Sequence, residues 1–199
     1  MDDSGDTDGE VGREPSTRDA LMDAALDQLA TRGVLAGLNL REVADAAGVT
    51  PANIYHLFGS RQGLLRAALA RETERLAGPA GDAARASFVA RRTRMFDVIA
   101  TTPALALTAL LALDGDPEFT PMPFLERTQA SYRAQIEAGE IPAGLDVDAV
   151  HVLTLAMSIG FAIYGPAAAR QLDVTPAQLH ARAHAVVEQM LQSLLDTTP

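Results

Sequence analysis

The sequence predicts an all-α protein of about nine helices, and three observations carry that expectation. Ala and Leu dominate the apolar residues while β-branched residues are sparse, a composition that favours helix. Capping residues and Gly or Pro stops divide the chain at helical lengths. No segment alternates apolar and polar residues well enough to form a strand. With 199 residues, 48% of them hydrophobic, the chain can bury a sizeable core.

The elements follow in order. Ser16 with Asp19 three residues on starts a first helix, whose Leu21, Ala25 and Leu29 share one face and which Gly33 stops. Asn39 with Glu42 opens a short helix to about Ala47. Thr50 as N-cap and Pro51 at the first helical position open a third. Ser60 caps a fourth, running to Gly78-Pro79. Beyond it the spacing predicts helices over about 82–101, 104–113 and from 117–124 to Ala138. Asp146 caps an uncharged helix, and Thr175, Pro176 and Gln178 open the last. This divides the chain into an acidic leader (1–15), a small helical domain (16–62) with a connecting helix at about 61–78, and a larger helical domain (79–199).

Charge narrows the function. The net charge is −10, and all 16 basic residues are Arg. Residues 1–14 carry net −5, residues 15–76 net 0 and residues 77–199 net −5. Coating nucleic acid by bulk charge is excluded, but local recognition is not. The leader has neither the basic start nor the apolar run of a signal peptide and reads as solvated and disordered. The absence of Cys excludes a disulfide scaffold, a thiolate metal site and a Cys nucleophile.

The informative window is Leu40 to Gly59. A helix-turn-helix needs a small residue where its helices cross, and Ala44 stands there. It needs a turn residue that tolerates positive φ, and Gly48 does. It needs apolar packing around the turn, and Val43, Ala47, Val49, Ile54 and Leu57 supply it. The helix starting at Pro51 would then lie in the major groove. Asn53 could pair bidentately with adenine, and Thr50 and the adjoining N–H groups could grip a phosphate. Tyr55 could reach a phosphate or a thymine methyl group. Arg41 could reach phosphate or guanine, or instead pair with Asp45. Arg61 would hold backbone phosphate. Pro51, Ala52 and His56 complete the DNA-facing set, with Pro51 and Ala52 offering no polar side chain.

The run LREVADAAGVTPANIYHLFGSRQGLLRAAL (40–69), with the helix over 16–32, resembles the DNA-binding segment of TetR-type transcriptional regulators. The resemblance covers about residues 16–76, and Arg41, Asn53, Tyr55 and Arg61 match family positions that commonly touch DNA. Arg61 stands where members often carry Lys, and Leu57 where many carry a polar aromatic residue. The leader is acidic where some relatives use a basic arm, so no arm contact is expected. The resemblance implies a cytoplasmic homodimer, with an N-terminal three-helix helix-turn-helix domain and a larger C-terminal ligand-binding and dimerisation domain. The expected function is that of a repressor bound to a palindromic double-stranded operator and released by a small, largely apolar inducer. The alternative is a dimeric helical ligand-binding or protein-interaction module without sequence-specific DNA binding.

In the larger domain, Ala156 and Gly160 allow close helix approach, and with Val187, Leu191 and Leu194 they are the expected dimer seam. Met95, Phe96, Ile99, Leu110, Phe119, Met122, Tyr132, Met157, Phe161 and Tyr164 are the candidate ligand contacts, or alternatively plain core. Tyr132, His151 and Tyr164 are candidate polar anchors. Arg91, Arg92 and Arg94 read as a solvated helix face. Ala149–Ala169 is long enough to span a bilayer but is broken by His151, Gly165 and Pro166, and a buried soluble helix fits better. His180 and His184 form an i,i+4 pair without a third ligand, so they read as a surface pair and no metal is expected. No phosphate loop, nucleophile elbow or dinucleotide fingerprint is present, so neither enzyme chemistry nor a cofactor is expected.

Overall fold

A computed structural model of the protein describes residues 16–32, 37–77 and 86–197. The acidic leader, the Gly33 stop, the Gly78-Pro79 stop and the predicted helical residues 82–85 lie outside the described residues. Those described form nine α-helices, a short 3-10 turn and no strand. The helices are α1 (Thr17–Arg32), α2 (Leu40–Ala46), α3 (Pro51–Phe58), α4 (Arg61–Ala77), α5 (Phe88–Thr101), α6 (Leu107–Leu113), α7 (Leu125–Glu137), α8 (Val147–Gln171) and α9 (Pro176–Thr197).

Local chemistry sets most boundaries. Asn39 Oδ1 accepts from the N–H groups of Arg41 and Glu42, and its amide donates to Glu42 at 2.9 Å. Ser60 Oγ accepts from Gly63 N–H at 2.9 Å, and Asp146 Oδ1 from Ala149 N–H at 2.9 Å. Thr175 and Gln178 form a reciprocal capping box. Ser87 caps α5, five residues beyond the expected start. At the other end of α5, Pro103 pushes Thr102 into an extended conformation, and the chain turns by 92° into the 3-10 turn Pro103–Ala106 and α6.

Two cores result. The first joins α1–α4 through Leu21, Ala25, Val43, Ile54, Leu64 and Ala68, and continues without a break into Ile99, Leu105, Leu107 and Leu111. The small domain therefore rests on the end of α5 and on α6. The second joins α5, α7, α8 and α9 through Phe88, Phe96, Tyr132, Val150, Val187 and Leu191. By length and composition α8 could cross a membrane. In the fold it packs along α5 and α9, burying Val150, His151, Thr154 and Ser158. Its opposite face is exposed and apolar, not buried as the sequence predicts: Val152, Leu153, Ile163 and Tyr164 lie in the open, as do Val186 and Met190 of α9.

Candidate functional site

The small domain builds a helix-turn-helix from α2 and α3. Gly48 takes φ +69°, and Val49 N–H returns to Ala44 C=O at 2.9 Å, closing the turn. Ile54 is wholly buried beneath α3. Residues 52, 55 and 56 lie on the opposite side of the helix, and Ala52, Tyr55 and His56 are exposed, Tyr55 by 56%. Asn53 and Pro51 are half-buried at the edges of that face, and Arg41 and Arg61 are exposed on the flanking helices. Tyr55 thus does not pack against α1. Thr50 occupies the N-cap position, but its hydroxyl makes no cap hydrogen bond. It donates to Asn53 Oδ1 at 2.8 Å, which orients the amide and leaves the α3 N-terminus without a side-chain cap. At the other end, Arg18 donates to Leu57 C=O at 2.9 Å and lies 4.5 Å over the Phe58 ring, tying α3 to α1.

Gly63 shapes the junction behind the recognition helix. It sits in the first turn of α4, directly against the end of α3. A Cβ there would lie 2.0 Å from the Phe58 carbonyl oxygen. Only glycine permits this junction.

A half-open cavity of about 540 Å³ lies between α4, α5, α8 and the 118–131 segment. Of the expected ligand contacts, Met95, Ile99, Phe119 and Met122 line it. The other six do not. Phe96 stacks on His180 and packs against Phe161, with Met157 beside the same core. Leu110 packs on the first core, Tyr132 is buried against Phe88, and Tyr164 is 74% exposed. Of the three polar anchors, His151 alone reaches the cavity wall.

The arginines of α5 correct a sequence expectation. Arg92 is buried, Arg91 is half-buried and both line the cavity, with only Arg94 exposed at its edge. Arg92 belongs to the inward stripe Phe88, Arg92, Phe96, Ile99, so it follows the apolar face rather than the solvated one. His180 and His184 are not a bare surface pair either. His184 Nδ1 lies 2.9 Å and His180 Nε2 3.1 Å from Asp97 Oδ1, joining α9 to α5. No group of side chains suited to a metal occurs among the described residues.

Burial, with the nearby Arg92 charge, pushes the His151 pKa down to about 4. The folded protein therefore holds this imidazole neutral, whereas the unfolded chain protonates it near pH 6.5. A depressed folded pKa means stability is lost as pH falls below 6.5. From this group the loss at pH 5 relative to pH 7 is about 2 kcal/mol. Chemical denaturation of His151→Gln at both pH values should show that much less acid destabilisation than the parent. Equal pH slopes would contradict the assignment.

The residues expected at a dimer seam divide between core and surface. Val187 and Leu191 face the protein's own second core. Ala156 is exposed, Leu194 is partly exposed, and a Cβ added at Gly160 meets nothing within 4 Å. The outward apolar face of α9 is instead Val186 and Met190, one residue away.

Residues 21–68 match the family model described as bacterial regulatory proteins, tetR family. The regulator BetI of Rhizobium meliloti (strain 1021), described as HTH-type transcriptional, is 48% identical over 59 residues, 30% of this chain and 29% of that protein. BetI of Agrobacterium fabrum is 44% identical over 55 residues, 28% and 26% of the two chains. The alignments thus span under a third of these relatives. Among solved structures, a TetR-family transcriptional regulator from Rhodococcus sp. superposes with a TM-score of 0.64 at 22% identity, covering 90% of this chain and 98% of that one. Salmonella enterica GusR gives 0.62 at 20% identity, covering 92% and 98%. The structural likeness extends the fold over the larger domain, while the sequence match to the tetR family model rests on the helix-turn-helix segment.

Proposed function

We propose that the protein is a cytoplasmic, dimeric DNA-binding repressor released by a ligand of the larger domain. The observation that carries this reading is the outward face of α3. It presents Tyr55 and His56, edged by Asn53 and flanked by Arg41 and Arg61, while Ile54 anchors its back. Asn53 reads a base, its oxygen already oriented by Thr50. Arg41, Tyr55, His56 and Arg61 contact the backbone, and the uncapped α3 N-terminus at Thr50, Pro51 and Ala52 faces a phosphate. Two copies meeting through α8 and α9 place two α3 helices about one DNA turn apart, on the order of 34–36 Å, against a palindromic site.

A run of polar contacts from α4 to the cavity wall supports coupling. On α4, Arg66 Nη1 donates to both oxygens of Asp116 at 2.7 and 2.5 Å, and its Nη2 pairs with Glu118. Gln62 holds Asp114 at 3.1 Å. The same loop continues through Phe119 and Met122 into the cavity wall. A ligand that displaces this loop pulls on the helix carrying the helix-turn-helix. Its effect on the operator equals its differential affinity for the two arrangements.

Fluorescence anisotropy with the DNA upstream of the protein's own gene tests the division of roles. Asn53→Ala should relax sequence preference by about 1–3 kcal/mol at one position per half-site. Arg61→Ala should weaken all DNA alike and lower the salt slope by about one per protomer. Equal loss of specificity from both substitutions would refute this division.

A further inference from the structure

We propose that the cavity takes an apolar molecule ending in a carboxylate, whose head sits against Arg92 with Arg91 and His151. This deepens the effector reading above and rests on it for regulatory meaning, though not for binding. The walls are largely apolar, built from Leu69, Leu76, Val98, Phe119, Leu155 and Ile159. The charged groups on them are five arginines (66, 91, 92, 94 and 127) and one carboxylate, Glu118. Glu118 and Asp116 neutralise Arg66. The other four arginines make no ion pair among the described residues. A local excess of positive charge inside a chain of net −10 runs against its overall composition.

Arg92 is the sharpest observation. It is 6% exposed, and its Nε and Nη1 are buried without a hydrogen-bond partner. A buried guanidinium without a counter-charge is among the costliest groups a fold can hold. Beside it, Arg91 spends Nη1 on Ser131 and Nη2 on Gln135, neutral acceptors that fix its plane without cancelling its charge, and its Nε is unpartnered. Both guanidinium carbons lie close to the Tyr132 ring, 5.7 Å from its centroid for Arg91 and 5.6 Å for Arg92. His151 lines the same cavity, and its Nδ1 is buried without a partner. Unpartnered guanidinium donors and an imidazole nitrogen therefore lie close together at the wall of a largely apolar cavity.

An anion compensates what the protein leaves open. The planar guanidinium edge matches a carboxylate, and the few donors suit a single charge better than a phosphate dianion. The same positive field disfavours a cationic ligand. The remaining volume suits a body of modest size, within the range of ordinary ligand pockets.

Titration calorimetry on the full-length protein, without DNA, tests this with octanoate, 4-phenylbutyrate, 1-octanol, octylammonium and octyl phosphate. At least one acid should bind, octanoate about tenfold or more tighter than 1-octanol. Octylammonium should not bind, and octyl phosphate should be weaker than octanoate. Arg92→Met should erase the preference for acid over alcohol while keeping alcohol binding, and its ligand-free melting temperature should not fall. Arg92→Gln reports the same loss should the Met variant not fold, and Arg127→Ala should leave the preference intact. The proposal is overturned if 1-octanol or octylammonium matches the acids, if octyl phosphate is preferred, if none of the probes binds, or if the Arg92 variants retain the preference. Operator binding with no carboxylate binding would sink this inference alone. Carboxylate binding in a protein with no affinity for its upstream DNA would sink the regulator reading alone.

Discussion

Gly63→Ala is expected to destabilise the protein by about 2–4 kcal/mol, lowering its melting temperature by about 5–15 °C. On an exposed helix the same change stabilises by up to about 1 kcal/mol, because Ala has the higher helix propensity. Here the sign reverses. The new methyl group would lie 2.0 Å from the Phe58 carbonyl oxygen and 3.1 Å from its carbon. Those are backbone atoms at the end of α3, so no side chain can rotate away. The start of α4 must back off, stretching the Ser60 cap on Gly63 N–H and loosening Ile54 and Leu64, which share the first core. The readout is thermal unfolding followed by circular dichroism. A variant that melts at or above the parent temperature would show that the junction yields cheaply.

Pairing Leu153→Glu with Met190→Glu is expected to leave a folded monomer that binds its operator about a hundredfold more weakly or worse. Both side chains are largely exposed in the single chain, Leu153 by 68% and Met190 by 54%, so the substitutions cost little internal packing. In a dimer seated on α8 and α9 they place four carboxylates in an apolar seam, where desolvation is not repaid. The monomer then holds one half-site and forfeits the gain from engaging two, about 10²–10⁴. Light scattering after size exclusion reads the mass, and anisotropy reads the operator. Leu113→Glu, on the 87% exposed end of α6, is the matched control and should remain dimeric. A double variant that stays dimeric would move the interface elsewhere.

Much of the fold was legible because the signals that set it are local. Asn39 with Glu42, Ser60, Asp146, and Thr175 with Gln178 each act within a turn of chain, and each occupies its expected place. Signals that depend on distant chain were not. The helix expected from about residue 82 starts at Phe88 because Ser87 caps it, a choice that an Ala-rich stretch does not announce. Helix α9 is apolar on two faces, so its stripe alone could not say that Val187 and Leu191 turn inward while Val186 and Met190 turn out. The cavity draws on α4, α5, α8 and a loop, and the expected contacts caught Met95, Ile99, Phe119 and Met122 while placing core residues such as Phe96 and Tyr132 among them. Arg92 could have been found: it stands four residues after Phe88 and four before Phe96, on the inward stripe. Gly63 could also have stood out, as a glycine in the first turn of a helix built otherwise from strong helix formers.

The central claim is that a chain with net charge −10 and no Lys recognises DNA through a few placed contacts made twice. Its most direct test is equilibrium binding of the full-length protein to its own upstream DNA across about 50–200 mM salt. The expected result is saturable binding of two protomers to an inverted repeat, weakening as salt rises, with a shallow slope and little affinity for unrelated DNA. Absent binding, or binding indifferent to salt, would contradict it.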